Sequence, residues 1–575
     1  MSTLEWLRHL APGASAGPVD HPMATVEEAK KLLAELPVDK PERCLEEAAN
    51  WLSSIAVTAG FAPALRAQVV TLIEERAAAC VAAVANAAFA PGGGATKGFA
   101  ASDAPQPEAD VEPAKLQPLL EYATSLSEAQ QSHLASLPAQ IEEIEIPAAR
   151  AMLVRHASVL ARRMALRRML RRAVGKSHWK QLDACYARAA SLKSLRTAQT
   201  VDSPPRPATV LREYLRAVLV ELAAPESLNP RGIELLYRVA WRAASSAQLV
   251  VERSPEARFA VFPGAGTAPR PVGRVSAGAA SARFLDLTQC VTELRALLAA
   301  SLKASAEAAD DVFGGEFKVG ERNRVLAHAI AHWGADAPHR PGTRVAFEGA
   351  ARIARGLAPA LDRIERYPQG AWLAGIASLG PKAEAAEGAK AFAEAAVAAE
   401  IAAHLHDASA HGLGLIAPRK PCRALRVGSL VAVRAESASG WAIAIVRRIG
   451  AGGEDLQLGL EIIALHPRRL WLRMPGEDEE RLWARSKGPA DVAAGLVRAA
   501  LIAADPRGLV AGQLLIDPGF AGANEFDVPL PDRMQRLRIV KRLGSTAEYH
   551  RVAFVATEAF ALPRWARPAG RGFGK

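Results

Sequence analysis

Aromatic side chains make up only 5% of this chain of 575 residues, and sulfur is scarce, with five cysteines. Much of the 50% hydrophobic content is alanine, which favours helix over strand, so an α-rich protein is the first expectation. Cys44, Cys80, Cys185, Cys290 and Cys422 are odd in number and far apart, without a C-x-x-C pair. That argues against a disulfide framework or a zinc ribbon and points to reduced thiols in a cytoplasmic protein. No apolar run is long enough to cross a bilayer, the alanine-rich stretch 77–90 included, and the N-terminus lacks a basic segment leading into an apolar core. No membrane span is expected. Catalytic signatures are missing too. Gly92-Gly-Gly-Ala-Thr-Lys97 lacks the G-K-[ST] ending of a phosphate loop, His328 and His332 flank Ala-Ile-Ala rather than the glutamate of H-E-x-x-H, and no G-x-S-x-G elbow occurs. The chain does not read as an enzyme.

What is present is length, positive charge and a change of texture part-way along. A single hydrophobic core stops growing beyond roughly 250–300 residues, so two to four domains are expected. The formal charge of +11 suits an anionic partner without identifying one. Thr25-Val-Glu-Glu-Ala opens like a capped helix, and Leu45, Ala48, Leu52, Ile55 and Ala56 recur at helical spacing, with Pro37 and Pro41 between the two helices. Residues 1–90 therefore read as a helical subdomain. Residues 91–113, rich in Gly, Pro, Ala and acids, read as a flexible linker, and 114–335 as a second, mainly helical domain. Within the latter, Arg150 to Lys176 forms an amphipathic basic helix, with Val159, Leu166, Met169, Leu170 and Ala173 on one side and Arg167, Arg168, Arg171 and Arg172 spread over the rest. The simplest account of it is a core-facing helix with a solvated arginine face; contact with acidic lipid, nucleic acid or an acidic protein is the alternative.

From residue 405 the period becomes two. Leu430, Ala432 and Arg434 alternate with Val431 and Val433, and Trp441, Ile443 and Ile445 with Ala442, Ala444 and Val446. A third strand carries Leu456, Leu458, Leu460 and Ile462 on one face, and strands so closely connected imply an antiparallel barrel over 336–475. Trp441 and Trp471 read as barrel core or rim. Helical stretches are expected near 348–366, 383–404 and 490–504, and strands at 509–516, 525–530, 536–542 and 549–557. Residues 476–575 are thus a β-rich C-terminal module or an extension of the barrel.

Asp407-Ala-Ser409-Ala-His-Gly412 stands at the start of this barrel, followed by Leu413-Gly-Leu, Leu425-Arg-Val-Gly-Ser-Leu-Val, Trp441-Ala-Ile-Ala-Ile-Val-Arg-Arg and Leu458-Gly-Leu-Glu. In that order the segments resemble the PilZ domain family. The resemblance implies a six-stranded barrel, binding of cyclic di-GMP, and an R-x-x-x-R element ahead of the D-x-S-x-x-G motif. Arg340 and Arg344 match that element, and Asp407, Ser409 and Gly412 the motif. The chemistry fits: guanidinium groups fork onto phosphate or onto the guanine O6/N7 edge, a carboxylate accepts from guanine N–H groups, a serine adds a hydroxyl, and glycine allows positive φ and close backbone approach. Arg344 and Asp407 are unusually far apart in sequence, so either the barrel carries an insertion between them or the arginine element is degenerate. His404, His406 and His411 surround the motif without an evident fourth ligand, and no metal or resident cofactor is expected.

The expected architecture is α+β and multidomain, a mostly helical N-terminal half followed by the PilZ-like barrel and a further β-rich segment. The function implied is a cyclic di-GMP receptor in which the helical region contacts an unidentified protein partner. A protein-interaction scaffold of motility or pilus machinery that does not bind the nucleotide is the alternative, and a nucleic-acid binder acting through Arg163 to Arg172 ranks below both.

Overall fold

A computed structural model describes residues 19–90, 111–136, 146–201, 206–275, 282–303, 313–335, 343–366, 400–475, 496–505, 508–520, 522–546 and 548–561. It divides into two compact units, Met1–Ala95 with Ala109–His339, and Thr96–Glu108 with Arg340–Lys575. The linker expected at 91–113 lies almost wholly outside the described residues.

The first unit holds helices α1 (Val26–Ala34), α2 (Pro41–Val57), α3 (Pro63–Phe89), α4 (Pro113–Ser136), α5 (Ile146–Met169), α6 (Lys176–Ser191), α7 (Val210–Leu222), α8 (Pro230–Ala243), α9 (Thr288–Lys303) and α10 (Val319–Trp333). Local chemistry sets their starts. The Thr25 hydroxyl accepts from the Glu28 N–H at 3.2 Å, and proline occupies the first turn of α2, α3 and α8, where a missing N–H is harmless. Leu45, Ala48, Leu52 and Ile55 are fully buried, as their helical spacing requires. Short strands complete the unit: a hairpin of β1 (Gln199–Val201) and β2 (Arg206–Ala208), and a four-stranded sheet of β3 (Gln248–Val250), β4 (Phe259–Val261), β5 (Arg270–Pro271) and β6 (Arg283–Asp286) in the order β3-β6-β4-β5.

The basic helix α5 departs from expectation. Its arginines, with Arg171 and Arg172 just after it, do not form a freely solvated face: Arg163 is buried, and most of the others are half-buried and held by neighbouring elements. Arg163, only 5% exposed, donates to Ser127 Oγ at 2.5 Å. Arg162 pairs with the buried Glu234, Arg168 binds both carboxylate oxygens of Glu221, Arg171 donates to the Leu228 carbonyl at 2.8 Å, and Arg172 to Gln117 Oε1 at 2.8 Å. Burial works against the Glu234 carboxylate, but Arg162 and Arg238 overcome it and hold its pKa at about 2. These cations join helices to one another, so the Arg163–Arg172 segment offers little of the exposed charge that a nucleic-acid backbone requires.

The second unit is built from two rings of antiparallel strands. In the first, β7 (Val345–Arg355), β9 (Glu400–Ser409), β10 (Gly412–Pro418), β11 (Leu430–Ala435), β12 (Ala442–Gly452) and β13 (Asp455–Ala464) close a barrel in the order β10-β13-β12-β11-β7-β9. Ile353, Leu405, Leu415, Val433, Val446, Leu458 and Leu460 fill its interior. A two-residue strand β8 (Glu365–Arg366) follows the short helix α11 (Leu357–Arg363).

The second ring comprises β14 (Arg468–Arg473), β15 (Leu496–Asp505), β16 (Gly508–Ile516), β17 (Glu525–Pro529), β18 (Arg533–Ser545) and β19 (His550–Ala561), ordered β15-β16-β19-β18-β17-β14, with β14 also pairing β15 and so returning the sheet on itself. Its core includes Leu470, Leu472, Leu514, Phe526, Leu537 and Phe554. The strand at 468–473, with Trp471, therefore pairs within this C-terminal ring. A shared apolar seam joins the rings: Leu357 and Leu361 of α11, Leu430, Ile443 and Ile445 of the first, and Ala500, Ile502 and Leu515 of the second.

Three helical expectations fail in part among the described residues of this unit. Residues 345–355 form a strand followed by the short α11, 400–409 form a strand, and 496–505 form another. The remainder of the helix expected at 383–404 lies outside the described residues. Alanine misleads here. In β7, Ala351 and Ile353 fill the barrel while Ala354 packs outward with Ala360 and Ala432, so cross-strand pairing overrides the helical preference of alanine.

Candidate functional site

The spacing of Asp407, Ser409 and Gly412 is that of a tight hairpin. Strands β9 and β10 pair Ser409 with Gly412 across Ala410 and His411, and the Ser409 hydroxyl donates to the Gly412 carbonyl at 3.3 Å. Gly412 is not among the glycines with positive φ. Its need is close approach: a Cβ there would stand 2.6 Å from the Leu460 carbonyl oxygen on β13. Of the two properties expected of this glycine, close backbone approach is used and positive φ is not.

Beyond the turn, Asp407 pairs with Gly414 on β10 and with Ala346 on β7. A Cβ on Gly414 would lie 2.5 Å from Asp407 Oδ1 and 2.7 Å from its Cγ, so the carboxylate rests directly on the glycine backbone. Gly414 was not marked by the motif, and its role follows only from the register. The carboxylate is 16% exposed; Oδ2 pairs with the Arg344 guanidinium, and Oδ1 is buried without a hydrogen-bond partner. An ionised carboxylate has about four acceptor positions, so half of this one is unused.

Arg344 reaches Asp407 because it immediately precedes β7, whose Val345 pairs with Ala408 on β9. Residues 356–399, including α11, are therefore inserted between two strands that are neighbours in the barrel. The barrel thus carries an insertion between Arg344 and Asp407, and the length of chain between them is no obstacle to their meeting. Arg340 lies outside the described residues. Arg419, which with Arg423 also satisfies R-x-x-x-R, donates to the Gly453 carbonyl at 3.4 Å. His404, His406 and His411 are exposed, and among the described residues no group of three or more His, Cys, Asp or Glu side chains is placed to hold a metal ion. Trp441 packs at the rim, 5.2 Å from the Arg434 guanidinium and 5.6 Å from that of Arg363.

Two family models match the chain, both drawn from one receptor. The N-terminal domain of the cyclic-di-GMP receptor FimW matches residues 27–255, and the middle PilZ domain of the same receptor matches residues 378–468. Together they cover more than half of the sequence. The chain belongs to this family of cyclic di-GMP receptors. The FimW match extends the family likeness to the helical half, and its PilZ portion ends at residue 468, where the second ring begins. Strand β7 and Arg344 fall outside both matched ranges. No curated protein matches the chain. Among the described residues no helix is long and apolar enough to cross a membrane.

Proposed function

We propose that this chain is a cytoplasmic effector that binds cyclic di-GMP on the outer face of the first barrel and passes the binding event to a protein partner of the helical unit. Arg344, Asp407, Ser409 and Gly412, with Arg340 from the segment just upstream, are the residues assigned to the ligand. The observation that carries this assignment is the Asp407 carboxylate, held by Arg344 through one oxygen while the other lacks a partner.

The oxygen without a partner is the one set against Gly414, so a rotation of the Asp407 side chain off the glycine presents it to guanine N–H donors. The Arg344 guanidinium beside it is planar and forked, which suits phosphate or the O6/N7 edge. Coupling to the helical unit requires that the nucleotide bind two arrangements of the chain with different affinity.

Calorimetric titration with cyclic di-GMP tests the assignment. Wild type is expected to bind saturably at micromolar ligand, and Arg344→Ala and Asp407→Ala to lose at least about tenfold in affinity, since each removes a charged hydrogen-bonding group worth about 1.5–3 kcal/mol. Saturable binding unaffected by both substitutions would move the ligand to another surface. Absence of binding by wild type would leave the barrel as a protein-interaction module.

A further inference from the structure

We propose that Arg448 adds a further guanidinium to the nucleotide site, on the side of Asp407 away from the Arg340–Arg344 element, and that, with Asp407, it selects guanine over adenine. The inference rests on the reading above that the nucleotide binds beside Asp407. It comes from the strand register. Ala346, Asp407, Gly414, Gly459 and Arg448 occupy successive paired positions on β7, β9, β10, β13 and β12, one row across five strands of the barrel. Residues paired in this way lie on the same face of a sheet. The positions next to the row, Leu405, Leu415, Leu458 and Ile449, fill the barrel interior, so the row faces outward.

Its two central residues have no side chains, and both neighbours lean over them. The Asp407 carboxylate covers Gly414 from one side, and a Cβ on Gly459 would stand 3.0 Å from Arg448 Nε and 3.4 Å from Nη2 on the other. Directly paired strand residues have Cα atoms about 5 Å apart. A carboxylate and a guanidinium thus lie low over adjacent glycines, where the missing side chains let both charged groups be presented together to one base. Arg344 stands behind the carboxylate, so two cations bracket one anion. A bulge between Val446 and Arg448 sets this geometry: Arg447 is the extra residue and turns to Glu461 at 2.5 Å, which leaves Arg448 in register with Gly459.

Guanine matches this pair of groups and adenine opposes it. Guanine offers N1–H and its exocyclic amine as donors to a carboxylate, and O6 with N7 as a double acceptor for a forked guanidinium. Adenine has an unprotonated N1 where the carboxylate needs a donor, and an amino group where the guanidinium needs O6. Each side chain rejects the wrong base by an unmet hydrogen bond.

The test compares binding of cyclic di-GMP and cyclic di-AMP to the full chain and to Arg448→Gln, Arg448→Lys and Arg447→Gln. Arg448→Gln is expected to weaken cyclic di-GMP binding by about tenfold to a hundredfold and to narrow the preference over cyclic di-AMP. Arg448→Lys, which keeps the charge without the fork, should recover only part of the loss. Arg447→Gln, which removes a neighbouring charge outside the row, should bind as wild type. Thermal melts of each variant check the fold, and if Arg448→Gln is unstable the lysine variant decides. If Arg448→Gln and Arg448→Lys bind cyclic di-GMP as wild type does while Arg344→Ala and Asp407→Ala do not, the role of Arg448 is refuted and the site survives. If wild type itself does not bind, both fall.

Discussion

Gly412 and Gly414 are two residues apart on one strand, yet different atoms stand where a side chain would go. At Gly414 the obstacle is the Asp407 carboxylate; at Gly412 it is the Leu460 backbone carbonyl. A carboxylate can be displaced by rotating a side chain, whereas a carbonyl within a paired strand moves only with the sheet. Gly414→Ala is therefore expected to fold with little loss of stability but to break the Arg344–Asp407 pair and lose cyclic di-GMP binding as fully as Asp407→Ala. Gly412→Ala should instead destabilise the barrel by about 1–3 kcal/mol, the usual cost of overpacking. Denaturant midpoints and calorimetric affinities for the two variants separate the effects; equal outcomes would show that the glycines serve one purpose. Asp407, Ser409 and Gly412 were legible in the sequence because a hairpin brings residues together at short, fixed spacing. Gly414 and Arg448 were not, because their relation to Asp407 depends on which strands pair and in what register, and a one-residue slip would turn them to the other face.

Among the elements, α5 and β7 show where sequence pattern misleads and where it holds. The apolar stripe of α5 was readable, but the fate of its arginines depended on carboxylates and carbonyls that α4, α7 and α8 bring to it. Strand β7 reads as helix because it is rich in alanine, and only its partners β9 and β11 make it a strand. The same helix α5 carries a buried histidine, His156, beside Gln130 Oε1 at 3.4 Å and Gln131 Oε1 at 3.2 Å. Burial, reinforced by Arg163, pushes its pKa down to about 3, and burial holds His178 and His332 at about 4. A free histidine titrates near 6.5, so between that pH and the folded value the unfolded chain binds protons that the native state refuses. Stability is thus complete above about 6.5 and falls with decreasing pH, by up to about 1.4 kcal/mol per unit for each fully buried histidine. Urea unfolding at pH 7 and pH 5, followed through the helical transition, should show this loss, and His156→Gln should flatten the slope. A slope unchanged in that variant would assign the titration to other groups.

For the whole molecule, the question is how a nucleotide on one unit is felt by the other. Each unit has its own apolar core, one built on helices and the other on two rings joined by a seam. Two unfolding transitions are therefore expected rather than one. A ligand that binds only the folded barrel stabilises it by about 2.7 kcal/mol at a hundred times its dissociation constant. That shift belongs to the second unit whatever the signalling mechanism. Because the two rings share the seam formed by α11, Ile443, Ile445 and Leu515, they should melt together, and saturating cyclic di-GMP should raise their common transition. The helical transition moves only if the nucleotide also alters how that unit is held, since a ligand shifts an equilibrium only by its differential affinity for the two states. An effector acting through its helical half predicts that both transitions rise in differential scanning calorimetry. It further predicts that Asp407→Ala abolishes both shifts, because they have one cause. A rise confined to the β-rich unit would locate the output on the rings themselves and leave the helices as a separate binding module.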